Sequence, residues 1–166
     1  MTSNVRLINE LKRIKTEPID NVTFDVDENN ILDWKFTLFG PHESPYEGGV
    51  YHGVIKFPPT YPHKPPVVIF TSKLFHPNVY IDGKLCISIL HEGNDTTGYE
   101  HEVERWRPIQ NIRTIFLSII SLLNEPNPDS AANVDAAKML RDNKKEYYKR
   151  IQADNGNKAH YMKVGK

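Results

Sequence analysis

The hydrophobic period changes twice along this chain, and the order of the changes leaves few architectures open. Val5, Leu7, Ile8, Leu11 and Ile14 recur at helical spacing, with Arg6, Glu10, Lys12 and Arg13 on the other face. That spacing predicts a helix over about residues 3–16, stopped by Pro18. The period then drops to two. Val22, Phe24 and Val26, and again Trp34, Phe36 and Leu38, alternate with polar residues as half-buried strands do. "GVYHGVIKF" and "PVVIF" supply a third and a fourth strand, and the turn-rich "PHESPYEGG" joins the second to the third as a hairpin. The helical period returns at "IQNIRTIFLSIISLLNEPNPD", apolar on most faces from Ile112 to Leu123, which is a central buried helix. "NVDAAKMLRDNKKEYYKRIQADNG" continues as one or two amphipathic helices. A helix, then strands, then helices indicates an α+β fold on an antiparallel sheet rather than alternating βαβ units. At 166 residues one domain is expected, spanning residues 1–153, with a frayed polar tail over 154–166.

Charge and cysteine usage remove several function classes. Lys plus Arg equals Asp plus Glu at 21 each, which is not the basic excess of a nucleic-acid binder. No apolar run reaches the roughly 18 residues of a membrane span, and the charged "MTSNVRLINELKR" lacks the apolar stretch of a signal peptide. A single cysteine cannot form an internal disulfide, so a reducing, intracellular home is expected. "FPPTYPHKPP" carries five prolines in ten residues. It has the composition of a free proline-rich ligand. However, Phe57, Tyr61 and the following "VVIF" mark it as a rigid connector inside the domain, with Tyr61–Pro62 a candidate cis bond.

The lone thiol, Cys86, lies in "HPNVYIDGKLCISIL" and admits several readings. Free cysteines are among the most buried residue types, and the alternating apolar residues around this one favour a structural thiol. A cysteine protease would need a histidine base, for which His76 and His91 flank Cys86 in sequence. A zinc site is weaker, with no second cysteine and no HxxxH. The last reading is thioester exchange. An acyl group that arrives as a thioester needs only an accessible thiolate, its pKa lowered by a neighbour such as Lys84. Attack by an amine would then develop an oxyanion that requires a donor, for which the Asn78 side-chain amide is a candidate.

"FPPTYPHKPPVVIF", "FHPNVYIDGKLCISIL", "WRPIQNI" and "LLNEPNPDSAAN" together resemble the ubiquitin-conjugating enzymes, in the family's order and along the whole chain. "ISILHE", the long loop and "SAANVDAAKM" are similar to the branch with an acidic insertion beside the active site, and within it to the G-type enzymes. The resemblance implies that family's α+β fold: an N-terminal helix, a four-stranded antiparallel meander, then central and C-terminal helices. It implies that Cys86 accepts ubiquitin from the activating enzyme and passes it to a lysine with a RING-type ligase. Polyubiquitination and degradation follow from that transfer. By resemblance Asn78 stabilises the oxyanion or holds the nearby loop, while His76 and Pro77 are structural. Ser130 stands where many relatives carry an acidic residue, with Asp129 beside it, and Ser88 stands where many carry aspartate. Which group assists the incoming lysine stays open.

Sixteen residues, Leu90 to Arg105, separate the cysteine's segment from Trp106, longer than an idle connection usually is. Glu92, Asp95, Glu100, Glu102 and Glu104 make this loop acidic, and it is expected to gate Cys86 and orient an acceptor ubiquitin. By resemblance Arg6, His63, Pro108 and Ile109 are expected to dock the ligase, and the same helix face to meet the activating enzyme in competition. Arg6, Lys12 and Arg13 read equally well as a solvated face, and Trp106 as a packing anchor. No metal and no cofactor is expected, since ATP is consumed by the activating enzyme. The expected state is a monomer in the cytoplasm, with the nucleus or the endoplasmic reticulum surface reached through partners and without direct membrane insertion. The rival from another class is a non-catalytic ubiquitin-binding variant, against which the intact Cys86 argues. Within the enzyme class, a ubiquitin-like modifier is the alternative cargo.

Overall fold

A computed structural model describes residues 2–92, 105–127 and 131–154. Helix α1 (Ser3–Thr16) is followed by strands β1 (Val22–Val26), β2 (Asp33–Phe39), β3 (Val50–Lys56) and β4 (Val67–Phe70), then helices α2 (Ile112–Asn124), α3 (Val134–Asp142) and α4 (Lys144–Asp154). The strands form one antiparallel sheet in chain order β1-β2-β3-β4, the meander that the resemblance implies. The second half divides at Asn143, whose N–H closes α3 on Met139 O while its side chain accepts from Glu146 N–H in α4.

Local chemistry sets the boundaries. Thr2 caps α1 by accepting from Val5 N–H, and the chain leaves the helix at Glu17, ahead of Pro18. Asn111 and Thr114 form a reciprocal capping box at the start of α2. Register places Phe24 opposite Phe36 and Trp34 opposite Ile55. The inward residues of the sheet therefore meet α2. Phe116 takes both Phe24 and Phe36 edge-on at 5.1 Å, and Trp34 packs edge-on against Phe24 and Phe57. Edge-on ring pairs of this kind add about 0.5–1.5 kcal/mol each beyond burial.

Two stretches are less uniformly buried than their periods suggest. In α1, Leu7 and Leu11 enter the core, but Val5 and Ile8 are exposed. In α2, Ile112, Ile115, Phe116, Ile119 and Leu123 are buried, whereas Leu117 is 56% exposed. A run apolar on most faces thus became a one-sided helix, because only one side has a sheet to cover it. The Tyr61–Pro62 bond is cis. The proline-rich segment is integral to the domain: Tyr61 is buried, its ring meets Phe57, and Pro62 O accepts the indole N–H of Trp106 at 2.8 Å.

Candidate active site

Cys86 is placed by its neighbours' burial. Leu85, Ile87 and Ile89 alternate inward and are each at most 7% exposed, which turns Cys86 and Ser88 outward to partial exposure. The alternation that suggested a buried thiol therefore does the reverse: it belongs to the flanking residues. Leu85 N–H donates to Val68 O of β4, and Cys86 N–H donates to Asn78 O at 2.9 Å. The tight turn between them needs Gly83, at φ +96, where a Cβ would lie 2.0 Å from Phe70 O.

The HPN triplet binds three different segments. His76 is 1% exposed; its Nδ1 accepts from Asn78 N–H at 2.9 Å, so Nε2 carries the proton and donates to Leu122 O at 2.7 Å. Burial pushes its pKa down to about 4, opposed only in part by that carbonyl. A neutral ring with both nitrogens bonded to backbone is scaffolding, and the protease reading of His76 fails here. Buried Pro77 offers its carbonyl to Ala132 N–H and Asn133 N–H, at 2.8 and 2.9 Å. Asn78 is fully buried; Nδ2 donates to Asn127 O and Oδ1 accepts from Asn127 N–H, both at 2.8 Å. Residues 127 and 132 are thus gripped on either side of a short stretch containing Asp129 and Ser130, which lie outside the described residues.

The thiol stands between two openings. One is a groove of about 470 Å³, where Cys86, Asn78 and Asn127 face Gln110, Thr114 and the exposed Leu117 beside α2. The other, of about 320 Å³, is walled by Pro65, Tyr80, Lys84, Leu90, His91 and Glu92. His91 Nε2 lies 3.7 Å from Cys86 Sγ, so of the two histidines flanking the cysteine the later one meets the thiol. Tyr80 lines the same opening as the thiol, and charge on Cys86 raises the phenol's pKa above its ordinary value. Tyr80 and Asn127 had no signal of their own in the sequence; each is found only through a partner. Among the described residues no group of three or more His, Cys, Asp or Glu side chains is arranged to hold a metal ion. Asp95, Glu100, Glu102 and Glu104 lie outside the described residues, but the ends of their loop are joined by Trp106 N–H donating to His91 O at 2.8 Å.

On the expected docking face His63, Pro108 and Ile109 are exposed. Arg6 is not simply a solvated charge. Its guanidinium pairs with Glu10 at 3.0 Å and donates to Pro108 O and Gln110 O at 3.1 and 2.9 Å. Glu10 in turn accepts from Tyr61 Oη and Ile112 N–H, tying α1, the proline-rich connector and the start of α2 together. Trp106, buried against Tyr61, is the packing anchor its position suggested.

The family model of the ubiquitin-conjugating enzymes matches residues 6–154. Ubiquitin-conjugating enzyme E2 7 of Arabidopsis thaliana is 46% identical over 151 residues, covering 90% of this chain and 91% of its own. Ubiquitin-conjugating enzyme E2 G2 of Homo sapiens is 43% identical over 150 residues, covering 89% of this chain and 91% of its own. The ubiquitin-conjugating enzyme E2 of African swine fever virus is 52% identical over 135 residues, 81% of this chain and 61% of the viral one. The family model's match runs through every segment that frames the thiol, and the chain belongs to the ubiquitin-conjugating enzyme family, as a G-type-like transferase that works through a cysteine thioester.

Proposed function

We propose that Cys86 is the acceptor thiol, which takes ubiquitin from the activating enzyme as a thioester and delivers it to a lysine. The single observation that carries this reading is the outward turn of Cys86 on a strand-like segment whose flanking residues are buried. The reacting sulfur is held rigidly and is open from two sides, as exchange between two large partners requires. The groove against α2 suits the extended acyl tail, and the Tyr80–His91 side suits the approaching nucleophile. Asn78 stabilises the oxyanion and holds the Asn127 backbone, while Asp129 and Ser130 form the surroundings of the incoming lysine. The acidic loop of Glu92, Asp95, Glu100, Glu102 and Glu104 orients an acceptor ubiquitin. A RING-type ligase docks on Arg6, His63, Pro108 and Ile109, in competition with the activating enzyme, and the product is a degradative chain. The protein acts as a monomer in the cytoplasm, without a cofactor of its own, and reaches the nucleus or the endoplasmic reticulum surface through partners.

Mixing the protein with activating enzyme, ATP and ubiquitin tests the reading on a non-reducing gel. A shifted band that thiol reductant removes is expected, absent in Cys86→Ala and converted to a reductant-stable ester in Cys86→Ser. No shift under any condition would overturn it.

A further inference from the structure

His91 reaches Cys86 from a fixed position. Its N–H donates to Ser88 O at 2.9 Å, closing the helical turn Ser88–Leu90, and its carbonyl accepts Trp106 N–H at 2.8 Å. The backbone that presents the imidazole is therefore held on both sides, and Nε2 stands 3.7 Å from Sγ. Imidazole is the side chain suited to exchanging a proton between pH 5 and 8, where an ordinary thiol is mostly protonated and poorly nucleophilic.

We propose that His91 is a catalytic residue that carries the proton to and from Cys86 during thioester exchange. This rests on Cys86 being the acceptor. In loading, Nε2 takes the thiol proton as Sγ bonds to the carbonyl carbon of the arriving thioester. The carbon–sulfur bond to the activating enzyme's cysteine then breaks, and the imidazolium returns the proton to the departing thiolate. In discharge, the amine nitrogen bonds to the same carbon and gives up a proton to His91. The bond to Sγ breaks, and that proton passes to the Cys86 thiolate. Each step conserves protons and electrons without a further reactant.

Among the described residues, the other titratable groups on this side are Lys64 of the proline-rich connector, Tyr80, Asp82 and Lys84 of the preceding turn, and Glu92. Tyr80 lines this opening, but charge on Cys86 raises its phenol's pKa, which keeps it protonated at neutral pH. On the α2 side the described residues of the wall carry no charge, with Gln110, Thr114, Ser118 and Ser121.

The test is the rate of Cys86 alkylation by iodoacetamide from pH 6 to 10, in the wild type and in His91→Gln. The variant's profile should move to higher pH by about one unit, about tenfold slower at pH 7 and converging with the wild type at the alkaline end. Single-turnover loading should show the same pH-dependent ratio. Tyr80→Phe should leave the His91-dependent displacement in place. Superimposable profiles would overturn the proposal, and so would a slowing equal at every pH, which is the mark of a merely structural residue. Alkylation needs no ubiquitin, so a displaced alkylation profile without any loading would support His91 and count against Cys86 as the acceptor.

Discussion

The side chain of Asn78 clasps the backbone of Asn127 at both ends, donating to its carbonyl and accepting from its N–H at 2.8 Å each. An amide is the group that does both at once. Asn78→Ala should therefore have two effects. Loss of the clasp in a buried site should lower unfolding free energy by about 1–3 kcal/mol, read by urea denaturation. Lysine discharge from the loaded enzyme should slow by about 10²–10³, with loading preserved. Asn78→Asp keeps the acceptor and removes the donor, so it should discharge as slowly. Discharge by either variant at the wild-type rate would remove the oxyanion role.

His76 predicts an acid-sensitive fold. Its folded pKa, about 4, lies below the ordinary histidine value near 6.5, so the native state binds this proton less readily than the unfolded one. The associated stability is complete above about pH 6.5 and is lost as pH falls toward 4. Between pH 6.5 and 5 this group should cost the wild type about 1.6 kcal/mol, the slope rising toward about 1.4 per pH unit below the unfolded value. A His76→Gln variant, less stable at neutral pH, should lose less over the same interval. Parallel profiles would contradict this account.

Docking residues should separate by their contacts. Ile109 is 75% exposed, so Ile109→Ala should change stability by less than about 0.5 kcal/mol while abolishing ligase-stimulated discharge. Arg6→Ala should lose both, because its guanidinium also bridges α1 to Pro108 O and Gln110 O. An Arg6→Ala protein as stable as the wild type would show that these bonds exchange freely with water.

Replacing residues 93–104 by a two-glycine link should leave loading and melting temperature close to wild type, since Trp106 N–H and His91 O already join the loop's ends. Chain building from the loaded enzyme should change in rate or linkage. Unchanged chains would exclude the loop from acceptor orientation.

The order of elements and the antiparallel sheet were legible from hydrophobic period because burial on one face imposes it, and the meander from the resemblance. Cys86 and the HPN triplet were legible from motif. The orientation of the thiol was not: alternation around Cys86 states that one parity is buried, not which, and β4 decides in favour of Leu85, Ile87 and Ile89. Arg6 looked like a solvated charge because its partners, Pro108 O and Gln110 O, are carbonyls more than a hundred positions away. Period carries no trace of such bonds. Asn127 escaped because its partner, Asn78, lies 49 positions away.

The rail of three buried residues that carries Cys86 has a consequence for who sets the rate. Folding has already met the entropic cost of fixing this sulfur, so little ordering on the enzyme's side remains to be gained at the transition state. What still moves is the acyl tail and the amine that attacks it. Left alone, such a protein is a stiff and patient carrier, and acceleration falls to whichever partner stills the other two bodies.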